Sequence, residues 1–131
     1  MSESAKPREY PFPSAPEENE YRIFPDDMEN DGLIFFHGTA EKNLDSIVNN
    51  GFRISDNLPS VSFARNSSLS LRYACEVRDD SSPCGVVMAV RYDYLNERHI
   101  FQEGFGLHVY DLSVQPQIVG YCVVPENYVF R

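Results

Sequence analysis

The stretch Leu33-Ile34-Phe35-Phe36-His37-Gly38-Thr39 decides the fold, because four apolar residues run directly into a histidine, a glycine and a hydroxyl side chain. A short apolar run of this kind predicts a buried strand, which we expect to end at His37. Thr39 is suited to cap a helix over residues 40–50, and Gly51 follows as a stop signal. The stretch therefore predicts a strand, a tight turn and a helix.

A second strand and a second helix are predicted further along the chain. The segment Val61-Ser62-Phe63-Ala64 indicates the strand, and Asn66 or Ser67 can cap a helix that reaches about Val77. We expect one face of this helix to point into the core or into a cleft. Helical spacing places four residues on that face, namely Ser70, Tyr73, Ala74 and Val77.

The remainder of the domain is predicted to consist mainly of strands. Residues 85–90 form a continuous apolar run typical of a central strand, and residues 107–110 and 117–124 carry further strand signals. Two early helices followed by several strands indicate an α+β domain, in which the helices cover parts of a split antiparallel sheet.

The N-terminal segment differs in composition from the rest of the chain. It contains five prolines and several acidic residues, so it is too polar and too interrupted to form a core of its own. We therefore divide the chain into an extended arm, residues 1–30, and a domain, residues 31–131. Five side chains of the arm could dock on the domain, namely Tyr10, Phe12, Tyr21, Ile23 and Phe24.

The composition limits the class of partner. The chain has 131 residues, of which 42% are hydrophobic, and this is enough for one core. Acidic residues outnumber basic ones by 20 to 11, which gives a formal net charge of −9. Because such a charge repels a phosphate backbone, the composition argues against a DNA or RNA partner.

The cysteines and the hydropathy pattern limit the class further. Cys75, Cys84 and Cys122 are odd in number and lack the paired spacing of zinc sites, so we interpret them as reduced thiols and expect no metal. No apolar run approaches the roughly 18 residues of a membrane span, and the N-terminus lacks a hydrophobic signal-peptide core. We expect a soluble protein of a reducing compartment, the cytoplasm, including that of a host cell into which it is delivered.

The order of these motifs is similar to that of a known family. A strand with His37-Gly38-Thr39, a strand with Ser62-Phe63-Ala64 and a helix with Ser70 and Tyr73 resemble the ADP-ribosyltransferases of the diphtheria-toxin and poly(ADP-ribose) polymerase branch, including the small rifamycin-modifying enzymes. The resemblance covers about residues 33–124. It implies a split antiparallel sheet with an NAD cleft, and a mono-ADP-ribosyltransferase that cleaves the nicotinamide–ribose bond of NAD.

The resemblance also implies a role for each motif residue. His37 would hydrogen-bond the ribose next to the nicotinamide, and the main chain of Gly38 would pair with the nicotinamide amide. Thr39 would support the adenosine-side ribose, Ser70 would contact the amide, and Tyr73 would stack on the pyridinium ring. These roles suit the residue types, since an aromatic face attracts a flat cation and glycine permits close approach.

One departure from the family pattern concerns the stacking residues. The family places a second tyrosine where this chain has Ser62, so Phe63 or an aromatic residue of the arm would have to take its place.

A second departure concerns the catalytic acid. Gly106 aligns with the family's glutamate, and the nearest upstream carboxylate is Glu103, in a predicted loop; Glu97 and Asp111 are less suited. We expect His37 and Glu103 to act in catalysis, because a carboxylate stabilises the positive charge that develops on the ribose.

Two other functions stay open from the sequence. The first is a module that binds NAD or ADP-ribose without turnover, and Ser62 and Gly106 at the two family positions favour it. An RNA 2′-phosphotransferase shares the NAD fold, but its basic residues are few here against the net charge of −9. The acceptor is expected to be a protein or a small molecule, and arginine modification is disfavoured because Phe101 lies two residues before Glu103, where that subfamily has a glutamate.

Overall fold

A computed structural model describes residues 7–53, 61–92, 100–103, 106–110 and 115–130. Within these ranges the strands are β1 (Arg8–Glu9), β2 (Ile34–Ala40), β3 (Val61–Ala64), β4 (Gly85–Arg91), β5 (Ile100–Glu103), β6 (Gly106–Val109) and β7 (Gln117–Val124). The helices are α1 (Asp26–Glu29), α2 (Leu44–Asn50) and α3 (Ser67–Glu76), with short 3-10 helices at Pro16–Asn19 and Glu41–Asn43. None of these helices is long and apolar enough to cross a membrane.

The strands form one mixed sheet in the order β1-β7-β4-β2-β3-β6-β5. Neighbouring strands are antiparallel except for the two-residue β1, which pairs parallel to β7. The prediction of an α+β domain with a mainly antiparallel sheet is therefore confirmed.

The sheet has two halves that meet at a narrow junction. Strand β2 pairs with β4 along seven residues, whereas its pairing with β3 is limited to Phe36 and Ala64. On the other side, β3 pairs with β6 along its whole length. The main chain of β2 beyond Phe36 is thus not held by β3, and a gap opens between the halves next to His37.

The two faces of the sheet bury separate hydrophobic clusters. Helix α3 covers the first face, where Leu71 and Ala74 pack on Phe36 and on β4. The second face buries aromatic residues that include Phe35 and Phe63, and Leu44 and Ile47 of α2 pack there. Because side chains alternate along a strand, β2 contributes Phe36 to one cluster and Phe35 to the other.

Glycines in two strands allow α3 to rest directly on the sheet. A Cβ atom at Gly38 would overlap the main-chain oxygen of Ser70, and one at Gly85 would overlap that of Ala74. The prediction of a tight turn at Gly38 is wrong, since His37, Gly38 and Thr39 all continue β2 to Ala40. Gly38 serves close helix packing instead of a change of chain direction.

The segment after β2 also differs from the predicted helix over residues 40–50. A 3-10 turn at Glu41–Asn43 precedes α2, and Thr39 accepts a hydrogen bond from the Asn43 side chain at 3.0 Å without capping a helix. The stop signal is confirmed, because Gly51 follows α2 with a φ of 84°. The strand and helix after it are also confirmed, since β3 spans Val61–Ala64 and Asn66 caps α3.

Residues 7–30, expected to form an extended arm, are packed on the domain. Ile23 and Phe24 are buried in the first cluster, and Tyr10, Phe12 and Tyr21 pack against it. The aromatic side chains therefore do dock.

A buried carboxylate fastens this segment to the start of α3. Glu29 accepts hydrogen bonds from the main-chain N–H groups of Phe24 and Ser67, both at 3.2 Å, and from the Ser67 hydroxyl. A negative charge at a helix N-terminus is favourable because it interacts with the helix dipole.

We predict that Gly38→Ala lowers the free energy of unfolding by at least about 2 kcal/mol, because the added methyl group pushes α3 away from β2. Gly32→Ala is the matched control, since a Cβ there meets nothing within 4 Å. Urea denaturation of both variants and the wild type measures the difference. Equal stability of the two variants would show that α3 does not depend on this contact.

Candidate functional site

A cleft of about 920 Å³ lies at the gap between the two sheet halves. Its walls come from β2, β3, one side of α3, and α2 with the residues on either side of it. The structure brings together all seven residues predicted to bind the cofactor, namely His37, Gly38, Thr39, Ser62, Phe63, Ser70 and Tyr73. Residues widely separated in the sequence thus share one concave surface of a size typical of small-molecule sites.

His37 is held at the floor of the cleft in a defined orientation. Its Nδ1 lies 2.9 Å from the main-chain oxygen of Ser62, and its ring packs on Phe52 and Phe63 at centroid distances of 5.2 and 5.5 Å. Since a carbonyl oxygen only accepts, Nδ1 carries the proton, and Nε2 of the neutral ring is the acceptor. Burial lowers the pKa of His37 by more than the hydrogen bond to Ser62 raises it.

Gly38 and Ser70 are in direct contact where α3 crosses β2. Ser70 is buried, with 5% of its surface exposed, and its main-chain oxygen occupies the space that a side chain at position 38 would need. Ser70 is therefore fixed at the cleft wall by the packing of its helix. The predicted amide-binding pair is adjacent in the structure.

Tyr73 is a large exposed side chain on the wall of the cleft. It is 52% exposed, although it lies on α3 one turn after the buried Ser70. Leu69, which is 46% exposed, lies one turn before Tyr73 and lines the same wall. Tyr73 is therefore not a core residue, and its aromatic ring is accessible beside the cleft.

Ser62 and Phe63 face opposite sides of β3. The Ser62 side chain is exposed, and its Oγ lies 2.9 Å from Nδ1 of His108 on β6. Phe63 is 2% exposed and packs edge-on against Phe52 and Tyr92 in the second cluster. Phe63 is therefore a floor residue, and its ring is not placed to replace a second stacking tyrosine across from Tyr73.

The arm does not supply that ring either within the described residues. Its aromatic side chains pack in the first cluster, where Phe24 contacts Phe36 at a centroid distance of 5.2 Å and Tyr21 contacts Phe130 at 4.6 Å. Among the described residues, the cleft lining includes none of residues 7–30.

The predicted acid lies on a strand, and the expectation of a loop at Glu103 is wrong. Glu103 is the last residue of β5 and pairs with Gly106, which in turn pairs with Ala64 of the cleft wall. The Glu103 side chain lies outside the part of the chain that the structure describes, as do Glu97 and Asp111. One strand, β6, lies between β5 and β3, so two strand spacings of about 4.8 Å each separate the Glu103 backbone from β3.

Arg53 is a cleft residue to which sequence reasoning gave no role in NAD binding. It lies two residues after the Gly51 stop signal and is the charged side chain among the described lining residues. Asn43 and Ser46 add polar groups on the same side. The position of Arg53 directly after a helix stop was visible in the sequence, but its place in the same cleft as His37 depends on the tertiary fold.

In the described part of the chain, the cysteines and the other residue types that bind metals form no metal site or disulfide. Cys75, Cys84 and Cys122 are free thiols, and burial raises the pKa of Cys122 to about 12. No group of three His, Cys, Asp or Glu side chains could hold a metal ion among the described residues.

No protein-family model matches the chain, and a comparison with curated proteins finds no match.

We predict that neutral His37 makes stability depend on pH. Its pKa is lowered in the folded state, so the unfolded chain, with a pKa near the usual value of about 6.5, binds more protons below that pH. The stability that comes with a neutral His37 is fully present above about pH 7. It is lost as the pH falls, because protonation of this histidine in the unfolded chain favours unfolding. The free energy of unfolding should therefore decrease between about pH 7 and pH 5.

His37→Gln tests this assignment, because glutamine can still donate to the Ser62 oxygen but does not titrate. Urea denaturation at both pH values should show a smaller loss of stability in the variant than in the wild type. An equal loss in both proteins would contradict a depressed pKa at His37.

Proposed function

We propose that the cleft binds NAD and that the chain is a mono-ADP-ribosyltransferase of the ADP-ribosyltransferase type. The observation that supports this best is the convergence of His37, Gly38, Ser70 and Tyr73 on one cleft at a split sheet. In this proposal the gap between the sheet halves is the NAD cleft, and the motifs whose order resembles the family meet at that gap.

The nicotinamide end would lie between β2 and α3. The Tyr73 ring is exposed and free to stack on the pyridinium cation. The amide of nicotinamide has a donor and an acceptor, which match the main chain of β2 beyond its pairing with β3 and the Ser70 hydroxyl. The contact of Gly38 with Ser70 keeps both groups within reach of one ligand amide.

The ribose and the phosphates would extend toward α2. His37 Nε2 is an acceptor suited to a ribose hydroxyl, and its orientation is set by the Ser62 oxygen. Arg53 would pair with the pyrophosphate, because a guanidinium binds phosphate oxygens well. A cationic residue in this cleft allows an anionic ligand to enter a protein whose net charge is −9.

We predict that Tyr73→Ala weakens NAD binding roughly tenfold, about 1.4 kcal/mol, while Tyr73→Phe binds like the wild type, because stacking needs the ring and not the hydroxyl. Tyr110→Ala is the matched control. Tyr110 is 49% exposed, close to the value for Tyr73, but it is not part of the cleft lining.

Isothermal titration calorimetry measures these affinities, with His37→Ala as a second cleft variant expected to bind at least tenfold more weakly. If Tyr110→Ala weakens binding as much as Tyr73→Ala, NAD does not use this cleft. If the wild type neither binds nor consumes NAD, the proposed function fails.

A module that binds NAD without turnover is the second candidate. The observation that favours it is the pairing of Gly106 with Ala64, since a glycine stands at the cleft-side position that aligns with the family's acid. The transferase then depends on Glu103, one strand further from the cleft.

We predict that Glu103→Gln slows nicotinamide release on the order of 100-fold, because the neutral side chain no longer stabilises positive charge on the ribose. Release is followed by chromatography after incubation with NAD. A wild-type protein that binds NAD but releases no nicotinamide would select the binding module. Equal rates in the wild type and the variant would remove Glu103 from the mechanism.

A further inference from the structure

Ser62 has a chemical neighbour that the nicotinamide-binding roles do not use. Its Oγ lies 2.9 Å from Nδ1 of His108, which stands directly opposite it in the pairing of β3 with β6. Residues opposite each other in an antiparallel pair lie on the same face of the sheet. The strand register itself therefore holds the hydroxyl against the imidazole, on the wall of the cleft.

This contact has the geometry of an activated nucleophile. A serine hydroxyl is a weak nucleophile until an adjacent base accepts its proton, and such pairs lie within about 2.6–3.2 Å. A neutral imidazole with its proton on Nε2 offers Nδ1 as that acceptor. The Ser62 side chain is exposed, so an electrophile in the cleft can reach its Oγ.

Ser62 also adjoins the group that would hold the ribose. Its main-chain oxygen accepts a hydrogen bond from Nδ1 of His37, and these two atoms are 2.9 Å apart. Ser62 therefore contacts both His37 and His108. A tyrosine at this position would fill the wall with a ring. Serine has no ring there, and its hydroxyl belongs to the same residue whose main-chain oxygen orients the proposed ribose-binding histidine.

We propose that Ser62 is an ADP-ribose acceptor of this chain and that His108 is its general base, an inference that rests on the proposed function. A bond forms between Ser62 Oγ and the anomeric carbon of the nicotinamide-side ribose, and the bond from that carbon to the pyridinium nitrogen breaks. Its electron pair stays on the nitrogen, which leaves as neutral nicotinamide. The hydroxyl proton passes to Nδ1 of His108 and then to solvent.

The experiment is incubation of the full chain with NAD, followed by intact-protein mass spectrometry, peptide mapping and assay of released nicotinamide in the same sample. The wild type should gain one ADP-ribose on Ser62. Ser62→Ala should lose the adduct, and His108→Gln should form it about 100-fold more slowly. Ser81→Ala is the matched control and should be labelled like the wild type, because Ser81 is exposed, lies outside the cleft and bonds to Asp79 at 2.7 Å.

The outcomes separate this inference from the function on which it rests. Nicotinamide release without an adduct on Ser62 would overturn the inference and leave the transferase intact. An adduct that forms equally fast in His108→Gln would remove the general base. A wild type that neither binds nor consumes NAD would overturn both proposals.

Discussion

The direct contact of α3 with the sheet is the constraint on which the rest of the cleft depends. Gly38 and Gly85 present bare backbone to the helix, so α3 lies closer to β2 and β4 than any side chain would allow. The helix is also held at its start by Glu29, which bonds to Ser67. The glycine contacts and the hydrogen bonds to Glu29 together fix the position of α3 on the sheet. That position places Ser70 and Tyr73 at the gap beside β2.

The gap itself follows from limited strand pairing. Strand β2 joins β3 at Phe36 and then separates from it, while the His37 side chain reaches across to the Ser62 oxygen. A main-chain bond between strands is thus replaced by a side-chain bond that leaves room for a ligand. The same hydrogen bond fixes the tautomer of His37, and burial keeps the ring neutral. Packing and protonation therefore act together to present an acceptor nitrogen to the cleft.

Much of the fold was predictable because its signals are local. The alternation in Val61–Ala64, the Asn66 cap and the apolar run of β4 each specify their element within a few residues. Features that depend on tertiary contacts were missed or misplaced. Gly38 was expected in a turn because a glycine after a strand indicates one, and its contact with Ser70 lies 32 positions further along the chain. Glu103 was expected in a loop. What makes β5 a strand is its pairing with β6, which is a tertiary contact.

The candidate site shows the same division. The seven predicted cleft residues lie in three short motifs, and the motif order was enough to group them. Arg53 and the contact between Ser62 and His108 could not be predicted, because no spacing in the sequence indicates which strands become neighbours.

The most direct test of the account is an NMR titration of isotope-labelled protein with NAD, in which the amide shifts of the whole chain are followed. We predict that the largest shifts fall on residues 37–39, on Ser62, and on Ser70 and Tyr73, which lie on the two walls of the cleft. Shifts confined to the far end of the sheet, around β1 and β7, would contradict it, as would no shifts at millimolar NAD.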